Sequence, residues 1–589
     1  MKTPPFLLAL CFLPALALSQ IPTHWYDHAV IYEIYPRSFQ DSNADGIGDL
    51  NGITARLDYL KDLGVDAIWV TPFFPSPNFD FGYDVSDYMN VAPEYGTMED
   101  WDKLVAEARK RDIRVLVDFV VNHTSDQHPW FKESRSSRDN PKRDWYIWRS
   151  GGGKDSPPTH WTSIFGGYTW TWDEKTEQWY YHIFLPQQPD VNWGNPELKK
   201  AMFDVVRFWL DHGASGFRLD ATPYLFEDMS FPDDPNPPDK GAPAALEPYN
   251  SGRPENHQVL REMRRILDTY PGDPVLLGES STATIEDLAN VYGKNRDEIQ
   301  LPMDFLFGNL TKLDAAVFKK EVDDAELKLG GQTPVFFFSS HDHPRQWSVF
   351  GDGTHNDQIA KLTAALTLTQ RGTALLYYGE ELGMATMPAS ELKSFPTGPK
   401  RPLADDRDGE RTPMQWSAAA NAGFTKGEPW LPVEKTYRRC NVEAEKRDPN
   451  SIYSWYARLL KLRHENAAFR DGIYVPLDTG NPNVFAFGRR AGTDQMALVV
   501  LNTSASPQTI HIRGMPDEWP HFNKVLMASP QAIAPVSSTI KIAGYGILIS
   551  SNVPSKNAQY AKSSRRQSLL VYLLPQLAPP RGRLPVLSR

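Results

Sequence analysis

Cysteine is nearly absent: the 589 residues contain two, Cys11 and Cys440. Cys11 falls in a leader-like segment, which leaves Cys440 without an intramolecular partner and excludes a disulfide framework. The fold must rest on a large core, which this length permits. Long apolar runs are scarce too. The run from Phe6 to Leu18, in "MKTPPFLLALCFLPALALSQ", is short and broken by Pro14. Lys2 precedes it, and Ala17 and Ser19 take the small-residue positions of a secretory leader, residues 1–19. A mature chain starting at Gln20, outside the cell and without a transmembrane helix, is expected. A basic excess is also missing, since the net charge is −11. Residues 552–589 carry two Lys and five Arg and no acid; taking these seven charges and Lys2 from −11 leaves −19 on the rest. An acidic body argues against a nucleic-acid partner.

What is present is a repeat of apolar, β-rich runs. They are "AVIYEIYPRSF", "AIWVTPFF", "RVLVDFVVNH", "GFRLDA", "PVLLGES", "LPMDFLF", "TPVFFFSSHD" and "TALLYYGEE", with amphipathic segments between most of them. "TMEDWDKLVAEARKRD" puts Trp101, Leu104, Val105 and Ala108 on one helical face, behind a Thr97–Asp100 capping box. Asn195-Pro196 opens a further helix, and Gly213 follows its end. Strand–helix alternation of this length predicts an α/β fold, a (β/α)₈ TIM barrel over residues 20–123 and 195–475. A doubly wound open sheet is the structural alternative. Residues 124–194 are too long for a βα loop. Trp145, Trp148, Trp161, Trp170, Trp172 and Trp179 mark them as a small inserted domain after the third strand. Short alternating runs over 476–551 predict a C-terminal antiparallel β domain. The basic tail, 552–589, reads as a disordered appendage.

The stretch "DSNADGIGDL" has the oxygens of a hard-cation loop. Asp41, Asn43, Asp45 and Asp49 occupy EF-hand positions one, three, five and nine, and Gly46 the turn. Position twelve is Gly52 instead of Glu, however, and a strand precedes the loop instead of a helix. A solvated acidic turn is the bland alternative.

Chemistry in a barrel gathers at the C-terminal ends of its strands. Those ends carry Asp118, Asn122 and His123, then Arg218 and Asp220, then Glu279, then His341 and Asp342, with Tyr83 and Asp84 after the second strand. Each alone reads as a cap or core residue. Together they would be too costly to bury unpaired, and paired carboxylates are the apparatus of glycoside cleavage. The competing metal chemistry lacks any spacing of the HExxH kind. "DFVVNH", "GFRLDA", "GES" and "SSHD", in this order, resemble the signature regions of the α-amylase family of glycoside hydrolases. "QPDVNW", "RTPMQW" and "NVEAEKRDPNS" resemble its α-glucosidase and oligo-1,6-glucosidase branch, and with the leader the chain is most similar to secreted insect maltases.

The resemblance covers Trp25 to Ser550 and implies roles. Asp220 would be the nucleophile, Glu279 the general acid and base, and Asp342 the transition-state stabiliser. Arg218 would orient Asp220; Asp84, His123, His341 and Arg411 would bind the terminal glucose, with Tyr83 beneath it. The loop would hold a structural Ca²⁺ through Asp41, Asn43, Asp45, Asp49 and the Ile47 carbonyl. A secreted, retaining, exo-acting maltase of gut lumen or saliva follows, acting on maltose, short malto-oligosaccharides and, as a further candidate, sucrose. Ala221 stands where relatives preferring α-1,6 bonds resemble one another in carrying Val, which implies preference for α-1,4 bonds. Sucrose or α-1,6 preference, an endo-acting amylase and a non-catalytic scaffold or receptor are the alternatives. Ser340 replaces the Asn usual before His-Asp, and Ala374 a usual Pro. Asn309-Leu-Thr311 and Asn502-Thr-Ser504 match the glycosylation sequon; Asn122-His-Thr124 does too, but is expected in a pocket.

Overall fold

The computed structural model describes residues 24–233, 249–393, 395–398, 401, 405–492, 495–513, 522, 524–529 and 539–552. The expected leader, and the basic tail from residue 553 on, lie outside them. All eight expected strands form: β1 (Val30–Ile34), β2 (Ala67–Val70), β3 (Arg114–Val120), β4 (Gly216–Asp220), β5 (Val275–Gly278), β6 (Leu301–Pro302), β7 (Val335–Phe336) and β8 (Thr373–Tyr377). They pair in parallel, β1 lying between β8 and β2, and a parallel bridge from Met303 to Val335 closes β6 onto β7. The open-sheet alternative is thereby excluded. Two runs are shorter as strands than they read. "YPRSF" turns into a helical turn at Pro36–Phe39, and "DFLF" into one at Phe305–Gly308. Pro36 is pre-set for the first helical position, and Asp304 caps Phe305–Gly308 by accepting the Leu306 and Phe307 amides.

The strands are buried on both faces, so they read as continuous apolar runs. Ile31, Trp69, Leu116, Val275, Leu277, Val335 and Leu375 pack inside the barrel. The alternate residues Val30, Tyr32, Ile68, Val115, Val117, Phe217 and Leu276 pack outward against the helices. Two of these helices follow the sequence closely. Met98–Arg109 starts at the Thr97–Asp100 capping box, and Pro196–Asp211 at Asn195.

The insert has its own antiparallel sheet, with Gln178–Tyr181 between Trp148–Arg149 and Trp170–Asp173. Its core is Ile147, Trp161, Trp170, Trp179, Tyr181 and Ile183. The C-terminal unit has a five-stranded antiparallel sheet whose first strand, Ile473–Pro476, straddles the expected boundary. Pairing with Val484–Ala491 ties that strand to the β domain rather than to the barrel.

Buried Arg489 of this unit reaches the barrel, and buried Arg463, on the barrel's own helix Ile452–Glu465, ties that helix to its barrel neighbours. Arg489 donates to the carbonyls of Thr369, Phe469 and Gly472 at 2.6, 2.9 and 2.8 Å. Arg463 donates to those of His28, Leu368 and Gln370, at 2.9 to 3.0 Å, and to Gly372. Cys440 is buried, its thiol 2.9 Å from the Leu382 carbonyl oxygen. Asn122 is buried, as expected of its sequon. So is Asn502, whose amide donates to the Ser506 and Ala543 carbonyls, leaving it closed to modification; Asn309 is exposed.

Candidate active site

Alternate side chains of a strand share a face, so the inward rows of the barrel run on into polar residues at its C-terminal rim. Glu33 follows Ile31, Asp118 follows Leu116, and Glu279 follows Val275 and Leu277. Arg218 and Asp220 end β4.

Arg218 is the hub. Its Nη1 donates to Asp220 Oδ1 at 2.6 Å and Asp118 Oδ1 at 3.0 Å, and its Nη2 to Glu279 Oε2 at 2.7 Å. Burial pushes Asp220 and Asp118 up from the usual carboxylate range, and Arg218 opposes the shift. Burial would discharge Arg218, but Asp118, Glu279 and Asp220 hold it cationic. Three carboxylates share one buried guanidinium, an arrangement in which the groups titrate as a unit. One ionised and one protonated carboxyl group is what nucleophile-plus-acid chemistry requires.

Ala221 completes this cluster from the backbone. Its φ is +51°, an unusual conformation for a residue with a side chain, and its amide donates to Glu279 Oε2 at 3.0 Å. Tyr83 donates its hydroxyl to Asp118 at 2.9 Å and stacks on His341 with ring centroids 5.1 Å apart.

A second cluster surrounds Asp342. Its Oδ1 accepts from Arg407 at 2.7 Å and Arg411 at 2.9 Å, and its Oδ2 lies 3.0 Å from His341 Nε2. Burial alone would raise its pKa, but His341, Arg407 and Arg411 hold it well below the usual range. His341 is buried too, yet Asp342 and Glu33, the latter 2.7 Å from its Nδ1, raise it to about 9. Asp342 is therefore a fixed anion, and His341 a fixed cation.

The two clusters meet at a cavity of about 220 Å³, whose walls include Tyr83, His123, Asp220, Glu279, Asp342 and Arg407. Burial lowers His123 to about 4, so it is a neutral ring; its Nε2 sits 3.0 Å from the Tyr83 carbonyl. Arg218 and His341 stand behind the cavity surface and act through the carboxylates they hold.

Two expected sugar ligands are misplaced by the sequence reading. Asp84 is fully buried, accepting from the Ser76 hydroxyl and the Phe79 and Asp80 amides at 2.8, 3.1 and 3.0 Å. Its carboxyl shapes the loop; Asp80 is the acid on the cavity wall. Arg411 likewise lies behind the wall, held by the His341 carbonyl, while Arg407 faces the cavity. Arg407 bridges Asp342, Asp405 at 2.7 Å and Asp80 at 2.6 Å. Gln188 of "QPDVNW" donates to Asp80 at 3.2 Å. Glu33 is a further residue the motifs missed, although it is the lone charge in the strand "VIYEI".

The loop 41–49 follows β1 and packs on residues 424–430. Asp41 Oδ1 accepts the Asn43 and Ala44 amides, and its Oδ2 the Gly46 amide and the Thr425 hydroxyl. Asn43 and Asp45 accept the amides of Asp45 and Ile47, each at 2.8 Å. Gly46 has φ +90°, as a tight turn requires. Among the described residues no three His, Cys, Asp or Glu side chains converge as a metal cluster. The expected ligands Asp41, Asn43, Asp45, Asp49 and the Ile47 carbonyl are therefore not gathered around one point, their side chains accepting loop donors instead, and a cation would have to draw them together. Such a set of hard oxygens suits Ca²⁺.

Residues 33–472 match the family model described as "Alpha amylase, catalytic domain". An oligo-1,6-glucosidase of Parageobacillus thermoglucosidasius is 38% identical over 545 residues, 86% of this chain and 94% of the relative. A probable alpha-glucosidase of Rhizobium meliloti is 42% identical over 488 residues, 80% of this chain and 88% of the relative. The crystal structure of a trehalulose synthase from Pseudomonas mesoacidophila superposes with a TM-score of 0.81 at 37% identity, covering 90% of this chain and 99% of that one.

Proposed function

The chain belongs to the alpha-amylase family of glycoside hydrolases, and from that premise we propose a retaining, exo-acting α-glucosidase that releases terminal α-1,4-linked glucose from maltose and short malto-oligosaccharides. The observation that carries the reading is the convergence of Asp220 and Glu279 on one guanidinium beside a small cavity. Adjacent nitrogens of Arg218 favour the short carboxyl separation of retaining enzymes, roughly 5–5.5 Å, over the roughly 6.5–9.5 Å of inverting ones. Asp220 attacks the anomeric carbon and forms a glucosyl ester. Glu279 protonates the leaving oxygen and then takes a proton from the water that cleaves the ester. Asp342, ionised by its three cations, holds the hydroxyls of the reacting sugar.

Exo action is supported by Arg407, whose bridge from Asp80 to Asp342 joins the loops after β2, β7 and β8 across the rim. Initial rates on maltose, sucrose, isomaltose and starch test the reading. Maltose is expected to be fastest; faster release from starch would overturn exo action.

The linkage choice rests on Ala221, which lines the cavity next to Asp220. Val there would narrow the space for the leaving sugar, so Ala221→Val is expected to move the kcat/KM ratio of maltose to isomaltose toward isomaltose by roughly 10–200-fold. The left-handed backbone at this position resists a β-branched side chain, so a lower melting temperature should accompany the shift. A wild type already favouring isomaltose would sink the α-1,4 assignment. It would favour the second reading, α-1,6 cleavage, which draws support from the relatives named oligo-1,6-glucosidase.

A structural Ca²⁺ in loop 41–49 is part of the proposal, as is secretion. The loop holds Trp430 through the Gly46 carbonyl, so an ion there would fix this contact without touching substrate. Chelation is expected to lower the melting temperature, because an ion bound only by the folded chain stabilises it. Activity well below melting should stay nearly constant. An Asp45→Ala variant with unchanged stability and unchanged chelator response would leave the loop a solvated turn.

A further inference from the structure

Ser340 stands where Asn is usual, and the structure shows what its hydroxyl does. Its Oγ accepts the amide N–H of Asp342 at 3.1 Å and lies 2.9 Å from His343 Nδ1. His343 Nε2 lies 3.0 Å from Asn309 Oδ1. The directions of these bonds follow from the end groups. An amide oxygen only accepts, so Nε2 carries the His343 proton; Nδ1 is then an acceptor, and the Ser340 hydroxyl donates to it. The chain runs unbroken from the Asp342 amide through Ser340 and His343 to Asn309, which is exposed at the end of the helical turn after β6. The His343 amide closes the turn by donating to the Ser340 carbonyl at 3.3 Å. Phe305 and Phe337 pack on the His343 ring at centroid distances of 5.6 and 6.0 Å, fixing its plane. Burial keeps that ring neutral, as the chain of bonds requires.

We propose that Asn309, His343 and Ser340 form a positioning relay that sets the backbone of Asp342, and that Ser340 and His343 together do here what an Asn before His-Asp does elsewhere. None of the three lines the cavity, so the relay acts only through Asp342. The proposal rests on the reading of Asp342 as the group gripping the reacting sugar. Asp342 touches substrate most tightly at the transition state on that reading, so a loosened turn lowers kcat more than it raises KM.

The test is steady-state kinetics on 4-nitrophenyl α-glucoside with enzyme produced without glycosylation, for wild type, S340A, S340N, H343A, N309A and S340A/H343A, each with its melting temperature. S340A and H343A are expected to lose roughly tenfold in kcat, KM staying within about twofold. The double variant should lose no more than the worse single, because one broken link opens the whole chain. S340N offers an acceptor and a donor again, and should recover most of the loss. N309A, at an exposed position, should fold normally and lose part of kcat. Wild-type kcat in H343A and N309A, or a double variant losing the product of the singles, overturns the relay. A wild type inactive on any α-glucoside overturns the functional reading, and the relay with it.

Discussion

Replacing Asp220 with Asn is expected to lower kcat/KM on maltose by roughly 10⁴-fold or more, to background. An amide matches the carboxylate in volume but cannot form the glucosyl ester. Asn can still accept from Arg218, so the cluster keeps its shape and the protein its fold. Glu279→Gln should behave differently. It loses the proton donor, worth roughly 10²–10⁴-fold, yet a nitrophenolate leaves without protonation, so the first step on aryl glucosides should survive. Measuring both variants on maltose and on 4-nitrophenyl α-glucoside separates the roles. Near-wild-type turnover of maltose by D220N would end the assignment of Asp220 as nucleophile.

The second large effect separates two acids four residues apart. Asp80→Ala removes a cavity-wall carboxylate and one anchor of Arg407, and kcat/KM should fall roughly 10²–10³-fold, as expected when one preorganised polar group of an active site is removed. Its melting temperature should move little, because Arg407 keeps Asp342 and Asp405. Asp84→Ala should do the reverse. It strands the Ser76 hydroxyl and two amides in the interior, costing roughly 2–3 kcal/mol of stability, with a smaller effect on turnover. Reversed outcomes, a stable but inactive D84A and an active D80A, would restore Asp84 as the sugar ligand.

These two acids also show how far the sequence could be read. The barrel was legible because its strands are buried on both faces and interrupted by capped helices, signals that lie within a few residues of one another. Asp220 and Glu279 were legible because the first closes β4 and the second directly follows β5, whereas Asp342 lies past the end of β7 and was legible from the motif "SSHD". Asp80 and Asp84 share one loop, "FDFGYDVSDY", and strand periodicity stops short of it. Which acid turns outward is decided by three local hydrogen bonds that only the folded loop reveals. Arg407 and Arg411 pose the same problem in "DRDGERTPMQW". Both reach Asp342, from opposite sides of a wall, and sequence spacing cannot say which side is wet. Glu33 was legible in principle, since the alternation that puts Ile31 inside puts Glu33 inside too.

The arginine between barrel and β domain, Arg489, bears on how the molecule comes apart. Arg489 holds the Thr369 carbonyl at the end of the helix Asn356–Leu368, the segment that leads directly into β8. Parting the two units would leave the buried Arg489 guanidinium and the Thr369, Phe469 and Gly472 carbonyls without partners. A lone barrel would inherit those unmatched carbonyls, and a lone β domain the unmatched Arg489. A barrel cut free of the β domain is therefore expected to melt at a lower temperature than the whole chain.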